Sequence, residues 1–200
     1  METSYGFPKD IPASATAVCI ALHERDSSTH QHCDRVSALC LELGRACGLS
    51  RHDLRRLWLA AAFHDVGKIG IPDRILRKTT ALTEREWTVM RSHSIRSERI
   101  VLAASLADGE TIAKAVRHHH ERFDGTGYPD GLAGEAIPFL SRIVAVADAY
   151  DAMSHRRYAA RRTHTQIVEE LQRAAGRQHD PYFVAKFVQV IERSRFREVA

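Results

Sequence analysis

Residues 141–153 read SRIVAVADAYDAM, the most apolar helical stretch of the chain. Its apolar residues cover nearly every side of a helix, so the stretch predicts a helix that is buried among other helices. Asp148 lies inside it. A carboxylate in such surroundings is costly unless it is paired or bound to a cation. From this stretch alone, an ion pair with an arginine and a bound metal explain Asp148 equally well.

Apolar residues repeat at helical spacing on both sides of this stretch, and no alternating strand pattern of useful length occurs. Further helices are predicted at residues 18–22, from a cap at 27–29 to 48, at 50–64, at 72–76, after a capping box at Thr83 and Glu86, at 93–106, at 112–121, at 164–175 and at 181–193. Residues 123–137 hold four glycines and Pro129, and predict an ordered loop. The fold prediction is a single all-α domain over residues 13–200, after a leader or linker stub at 1–12.

The composition excludes several classes of protein. A chain of 200 residues with 44% hydrophobic residues and a net charge of +4 suits one cored domain. Aromatic and basic residues do not interleave, so we expect no surface for a nucleic acid polymer. No apolar run approaches the ~20 residues of a membrane span, and the chain is expected to be cytoplasmic and soluble. The cysteines form no CxxC pair and are expected to be buried free thiols: Cys19, Cys33, Cys40 and Cys47.

Histidine is unusually frequent, with 12 in the chain, three of them consecutive at 118–120. Isolated histidines such as His23, His52 and His164 are more often surface or core residues than ligands. The candidates at helix ends or on apolar helices are His32, His64, Asp65, His93, His119, His120 and Asp148. Nitrogen and oxygen ligands of this kind suit iron, manganese or zinc.

A pair of such ions could act on a phosphodiester. Two metal ions bridged by a carboxylate clamp the attacking and leaving oxygens in line, and Asp65, beside His64, is the natural bridge. Lys68, one helical turn beyond His64, could neutralise phosphate. An exposed lysine at a helix end is the alternative interpretation of Lys68.

Three stretches together resemble the HD-GYP family, a branch of the HD-domain metal-dependent phosphohydrolases: HDVGKIGIPDRIL at 64–76, HHERFDGTGYP at 119–129 and VADAYDAMSHRRY at 146–158. The resemblance implies an all-α HD-domain bundle with an ordered GYP loop. It implies hydrolysis of the bacterial second messenger cyclic di-GMP to pGpG or on to GMP. It also implies two or three transition-metal ions, commonly iron or manganese. The expected mechanism is attack on phosphorus by a hydroxide that bridges two of them.

The resemblance also assigns individual residues. By position in the motifs, the metal ligands are His32, His64, Asp65, His93, His119, His120 and Asp148, with Asp65 as the bridge. The expected substrate contacts are Lys68, the loop residues Gly127, Tyr128 and Pro129, the acid Asp151, and Arg156 or Arg157. His118 is expected to be solvated or to lie behind the ligands.

The sequence departs from the family pattern at three places. Ser28 stands where some members have a glutamate that helps hold a third metal, which predicts a dinuclear site. Ser97 replaces a glycine near the intermediate histidine and is expected to crowd a helix contact slightly. The segment SHRRYAARR at 154–162 is altered, and leaves the choice between the two substrate arginines open.

Two other functions stay open from the sequence. One is a catalytically weak cyclic di-GMP receptor or scaffold, of the kind that contacts diguanylate cyclase (GGDEF) domains. Missing ligands would favour it, and no ligand is missing. The other is a related hydrolase that acts on cyclic GMP-AMP. An upstream sensory or receiver domain is a further expected partner.

Overall fold

The computed structural model describes residues 12–155 and 162–197. Within these two ranges the chain forms ten α-helices, two short 3₁₀ segments and no strand beyond two isolated bridges. The helices are α1 (Ala13–Arg25), α2 (Ser27–Ala46), α3 (Arg51–Phe63), α4 (Asp73–Leu76), α5 (Glu84–Arg91), α6 (His93–Ala103), α7 (Gly109–Arg117), α8 (Phe139–Ser154), α9 (His164–Ala174) and α10 (Pro181–Ile191). The 3₁₀ segments are Val66–Gly70 and Gly134–Ala136. The all-α prediction is confirmed, whereas nearly all of the predicted leader lies outside the described residues.

Helix α8 lies at the centre of the bundle, where it packs against α2, α3, α7, α9 and α10. Its buried apolar side chains are Leu140, Ile143, Val144, Val146, Ala147 and Tyr150. Fully burying a large apolar side chain contributes about 1.5–3 kcal/mol, so this helix is a fixed platform for any polar group that it carries. The predicted buried helix at 141–153 is confirmed.

The predicted cap of α2 is wrong by one residue. Asp26, just ahead of the predicted hydroxyl residues, accepts hydrogen bonds from the backbone N–H groups of Ser28 at 3.2 Å and Thr29 at 3.3 Å. A carboxylate in front of the first turn reaches N–H groups that side chains already inside the helix cannot reach in the same way. The capping box at Thr83 is confirmed, with both of its hydrogen bonds present.

Helix α7 ends at Arg117, earlier than the predicted end at Glu121. The carbonyl of Val116, which a further helical turn would need, lies instead 2.6 Å from His119 Nδ1 and accepts its proton. The early end frees the three consecutive histidines from helical geometry, so their side chains can enter different surroundings.

The turn after α3 packs tightly against the start of α6. Ser97 Oγ donates to the carbonyl of His64 at 2.9 Å and accepts from the N–H of Gly67 at 2.7 Å. Gly67 permits this approach, because a Cβ there would lie 2.1 Å from the carbonyl oxygen of His93. The expected crowding by Ser97 does not occur, since its hydroxyl joins the two elements.

All four cysteines are free, as expected, and Cys19, Cys33 and Cys40 are buried while Cys47 is partly exposed. Burial raises the pKa of the Cys19 thiol to about 12, so it stays protonated. In the part of the chain that the structure describes, no helix combines the length and the apolar character needed to cross a membrane.

Candidate metal centre

The seven predicted ligands come together where α2, α3, α6, α7 and α8 meet. One group of three, with ligand atoms within 4.8 Å of one another, comprises His32, His64 and Asp148. A second group, at the same spacing, comprises His93, His119 and His120. The two groups are neighbours, because the rings of His64 and His119 meet edge to face at 5.0 Å between centroids. The convergence matches the sequence prediction, and metal ligation itself stays a prediction.

Asp65 lies between the two groups. Its Oδ1 is 3.4 Å from His93 Nε2, in the second group. Its Oδ2 is 3.5 Å from His64 Nε2 and 3.9 Å from His32 Nε2, in the first group. The side chain is almost fully buried, at 3% exposure. Each oxygen therefore faces a different group, which is the placement that a carboxylate shared by two cations requires.

Three of the histidines are oriented by the same kind of hydrogen bond to the backbone. In each, Nδ1 lies within hydrogen-bond distance of the backbone carbonyl three residues earlier: His64 with Ala61 at 2.7 Å, His93 with Met90 at 2.7 Å, and His119 with Val116 at 2.6 Å. A carbonyl only accepts, so Nδ1 carries the proton and Nε2 presents its lone pair to the centre. Such bonds fix the tautomer and the ring orientation of histidines that bind metals.

One atom tests directly whether a cation fits here. His64 Nε2 is buried and has no hydrogen-bond partner within the described residues. It faces the Asp65 carboxylate at 3.5 Å, and both atoms are acceptors, so no proton is shared between them. Buried polar atoms left in this way are rare and call for an explanation. A metal ion that both atoms coordinate would supply it, so the residues present fit such an ion.

The imidazoles of the second group are held neutral. Burial, reinforced by the neighbouring imidazoles, lowers the pKa of His119 well below its usual value. Burial and the nearby His93 lower the pKa of His120 to about 3, and burial also lowers the pKa of His93. Metal binding needs the deprotonated ring, so these three side chains are in the binding form at neutral pH.

The carboxylates are held ionised, and His32 behaves differently from the other histidines. Burial favours the neutral form of Asp65, but Lys68 and the imidazoles outweigh it and hold its pKa well below the usual range. Burial would lower the pKa of His32, yet its hydrogen bonds to Asp148 and Asp151 outweigh burial and raise it to about 9. Binding of a metal at His32 would therefore release a proton.

The centre opens into a cavity of about 770 Å³. Its walls come from the N-terminal half of α2, the predicted ligands, the α4–α5 region and the C-terminal end of α8. The lining residues are Asp26, Ser28, Thr29, Gln31, His32, Arg35, Asp65, Lys68, Leu76, Met90, His120, Asp148, Asp151, Ala152 and His155. Drug-sized ligands occupy pockets of about 300–1,000 Å³. Lys68 hydrogen-bonds through Nζ to Asp65 Oδ2 and also faces the cavity. The cavity can thus admit a ligand of nucleotide size beside the buried ligand groups.

Comparison with known proteins agrees with this geometry. A family model described as HD domain matches residues 16–182. The chain belongs to the HD-domain family. Among curated relatives, it is 38% identical over 167 residues to a cyclic di-GMP phosphodiesterase of Thermotoga maritima, covering 83% of this chain and 45% of the relative. It is 40% identical over 162 residues to the cyclic di-GMP phosphodiesterase response regulator RpfG of Xanthomonas campestris, covering 80% and 43%. These relatives bear out the HD-GYP resemblance.

A third relative is named for a different substrate. The 3'3'-cGAMP-specific phosphodiesterase 2 of Vibrio cholerae is 36% identical over 165 residues, which cover 82% of this chain and 32% of the relative. The chain therefore spans less than half the length of each of these three relatives. Among solved structures, an HDGYP protein from Bdellovibrio bacteriovorus aligns with a TM-score of 0.69 at 19% identity, over 94% of this chain and 64% of that one. That likeness supports the HD-domain fold.

Asp151 of this HD domain has contacts that the sequence prediction did not foresee. It lines the cavity, and its predicted contact with substrate stays a prediction. Its side chain is 3% exposed and lies 2.7 Å from His32 Nδ1, on the far side of that ring from Asp148. Arg35 holds it from two nitrogens, Nε at 2.7 Å and Nη2 at 2.8 Å. A carboxylate behind a metal-binding histidine orients the ring and raises its basicity.

Glu121 is a residue of the HD domain whose role the sequence reasoning missed. Its carboxylate is buried and accepts hydrogen bonds from the N–H groups of Asp130 at 2.7 Å, Gly131 at 3.1 Å and Leu132 at 3.1 Å. It thereby ties the end of the GYP loop to the histidine pair that precedes it. The sequence did contain a signal for this role, namely an acidic residue between the predicted ligand pair and a glycine-rich loop.

The rest of the GYP loop packs closely on this support. A Cβ at Gly127 would lie 2.3 Å from the backbone nitrogen of Arg122, so only glycine fits there. The Tyr128 ring stacks on His120 with 4.9 Å between centroids. His118, expected to be solvated or behind the ligands, is nearly buried and lies 2.8 Å from the Asp130 carboxylate. The predicted substrate residues Arg156 and Arg157 lie outside the described residues.

We expect Glu121→Gln to destabilise the HD domain by about 1–3 kcal/mol, because the amide offers one acceptor oxygen and turns an N–H group toward backbone N–H groups. Thermal unfolding of the purified protein measures this. Glu135→Gln is the matched control, since Glu135 is an exposed acid in the same loop. Equal melting temperatures for the two variants would contradict the anchoring role of Glu121.

Proposed function

We propose that this HD domain is a metal-dependent phosphodiesterase that hydrolyses cyclic di-GMP to pGpG, to GMP or to both. The observation that carries the proposal is the position of Asp65, whose two oxygens face two separate histidine groups. Such an arrangement is typical of centres that hold two ions for attack on a phosphodiester. The names of the Thermotoga and Xanthomonas relatives support cyclic di-GMP as the substrate.

Two divalent ions, iron or manganese, are proposed to occupy the centre. One would be held by His32, His64, Asp65 and Asp148, and the other by Asp65, His93, His119 and His120. When bound, such ions lower the pKa of water and stabilise charge that develops on phosphoryl oxygens. Ser28 lines the cavity at the place of the glutamate that helps hold a third ion in some members. A hydroxyl is a weak replacement for that carboxylate, so we propose a dinuclear centre.

The cationic and loop residues would position the substrate. Burial would lower the pKa of Lys68, but Asp65 outweighs burial and raises it, so the ammonium group stays charged beside the bridge. From there it can neutralise the scissile phosphate. Gly127, Tyr128 and Pro129 would shape the mouth of the cavity, and Arg156 or Arg157 would contact the substrate. Asp151 would act through His32 rather than on the substrate.

Cyclic GMP-AMP is the second candidate substrate, because three Vibrio cholerae relatives are named as 3'3'-cGAMP-specific. A receptor without activity is less well supported, since every predicted ligand is present and converges. The name of the Xanthomonas relative, a response regulator, supports an upstream receiver domain as a partner. A GGDEF partner rests on the family resemblance alone, and so does a cytoplasmic location.

Product analysis by chromatography tests the proposal. The protein, purified without oxygen, is incubated with cyclic di-GMP or cyclic GMP-AMP, with Mn²⁺ or Fe²⁺, and with a chelator as the control. We expect pGpG or GMP to form only with metal. Tight binding without product under every metal would favour the receptor, and faster turnover of cyclic GMP-AMP would change the assigned substrate.

We expect Asp151→Asn to weaken metal binding by about 10–100-fold, the usual effect of losing a partner behind a metal-binding histidine. Asp73→Asn is the matched control, because Asp73 is an exposed acid that pairs with Arg25. Titration with Mn²⁺ measures the affinity of both variants. If Asp151→Asn left metal affinity unchanged but raised the KM for cyclic di-GMP, the result would favour the predicted contact of Asp151 with substrate.

A further inference from the structure

A row of stacked rings and one cation leads from the metal centre to the protein surface. The His120 ring, which lines the cavity, stacks on Tyr128 at 4.9 Å. The Arg91 guanidinium lies over two rings: its carbon is 5.5 Å from the centroid of Tyr128 and 5.8 Å from the centroid of Trp87. Trp87 is 42% exposed. The row therefore begins at a predicted metal ligand and ends at an open aromatic face.

Apart from these two ring contacts, the Arg91 side chain has no hydrogen-bond partner within the described residues. Over the described ranges it has no ion-pair partner, and its side chain is exposed. Most arginines near the centre are paired, as Arg35 is with Asp151. An arginine that lies over aromatic rings but has no ion-pair partner keeps its planar set of donor groups free for a ligand.

Helix α5 carries both Trp87 and Arg91 and contributes no buried residue to the core. Its last turn is nevertheless fixed to the centre, because the carbonyl of Met90 lies 2.7 Å from His93 Nδ1 and the Met90 side chain lines the cavity. Arg91 follows directly in sequence. Trp87 and Arg91 are thus carried next to the cavity-lining Met90 by a helix whose outer face remains solvent-exposed.

From this arrangement we infer that Trp87 and Arg91 form the subsite for a guanine base of the substrate. Resting on the proposed function, this inference names the part of the site that recognises the base. An exposed indole offers a stacking face for any base. A planar guanidinium can donate two hydrogen bonds to O6 and N7 of guanine, whereas adenine presents a donor amino group in place of O6. The pair therefore selects cyclic di-GMP over cyclic di-AMP.

Binding of cyclic di-GMP and of cyclic di-AMP, measured by calorimetry, tests the subsite. The variants are Arg91→Ala, Arg91→Lys and Trp87→Ala, with Arg85→Ala as the matched control because Arg85 is an exposed arginine on the same helix. We expect Arg91→Ala and Arg91→Lys each to reduce the preference for cyclic di-GMP by about tenfold or more. Trp87→Ala is expected to weaken binding of both dinucleotides by about tenfold, since stacking is tolerant of the base. Arg85→Ala is expected to match the wild type.

Other outcomes overturn the inference. Equal weakening of both dinucleotides by Arg91→Ala, with recovery in Arg91→Lys, would mean that the cation meets a phosphate. Unchanged preference in both Arg91 variants, or a wild type that binds neither dinucleotide, would also contradict it. A wild type that binds with an Arg91-dependent preference but gives no metal-dependent product would sink the proposed function and leave the subsite standing.

Discussion

We expect Asp65→Asn to lose its turnover of cyclic di-GMP by about a thousandfold or more and to lose bound metal at the same time. The amide carries no charge and offers one acceptor oxygen. It therefore cannot offer one charged oxygen to a cation beside His64 and the other to a cation beside His93, as the carboxylate can. Steady-state turnover and metal content of the same preparation measure both effects.

The control for this variant is Asp73→Asn, which makes the same chemical change at an exposed ion pair. Circular dichroism would show that both proteins keep their helices. An Asp65→Asn protein with wild-type turnover would make the two-group centre irrelevant to activity. Lost turnover with full metal content would mean that Asp65 acts on the substrate or on water instead of sharing two ions.

The second large effect is expected from Gly67→Ala. The added Cβ would lie 2.1 Å from the carbonyl oxygen of His93, 2.6 Å from the backbone nitrogen of Ser97 and 2.8 Å from its Oγ. Two of these atoms belong to the backbone and cannot rotate away. Overpacking of this kind costs about 1–3 kcal/mol, and the displaced element is the first turn of α6, which carries His93. We therefore expect lower stability and weaker metal binding together.

Thermal unfolding measures the first part, with a drop in Tm of roughly 2–4 °C for each kcal/mol lost in a chain of this size. Gly109→Ala is the matched control. A Cβ at Gly109 would meet only the Leu106 Cβ, at 3.9 Å, which is ordinary contact. The control is expected to be neutral or slightly stabilising, by about 0.4–1 kcal/mol. Equal melting temperatures for the two variants would contradict the tight junction.

The sequence allowed the ligands to be predicted because their chemistry is local. Asp148 stands out in an apolar helix, and His64 and Asp65 are adjacent at a helix end. The nearly continuous apolar character of residues 141–153 likewise indicated the buried helix α8. Such signals depend on residues close in the chain, so a single sequence carries them.

Roles that depend on contacts between distant segments could not be predicted in the same way. Asp151 meets His32 and Arg35 across more than a hundred residues of chain. The position of Asp151 beside the predicted substrate residues gave no sign of these two contacts, and its contact with substrate stays a prediction. The same limit applies to Trp87 and Tyr128, which only the fold brings together beside the Arg91 guanidinium.

The number of metal ions that one chain binds tests the dinuclear centre most directly. Metal-free wild-type protein is titrated with Mn²⁺ without oxygen, and bound metal is counted against protein concentration by elemental analysis. We predict two ions for each chain, held by the two histidine groups that share Asp65. A single ion, or none, would contradict the shared carboxylate and with it the proposed chemistry.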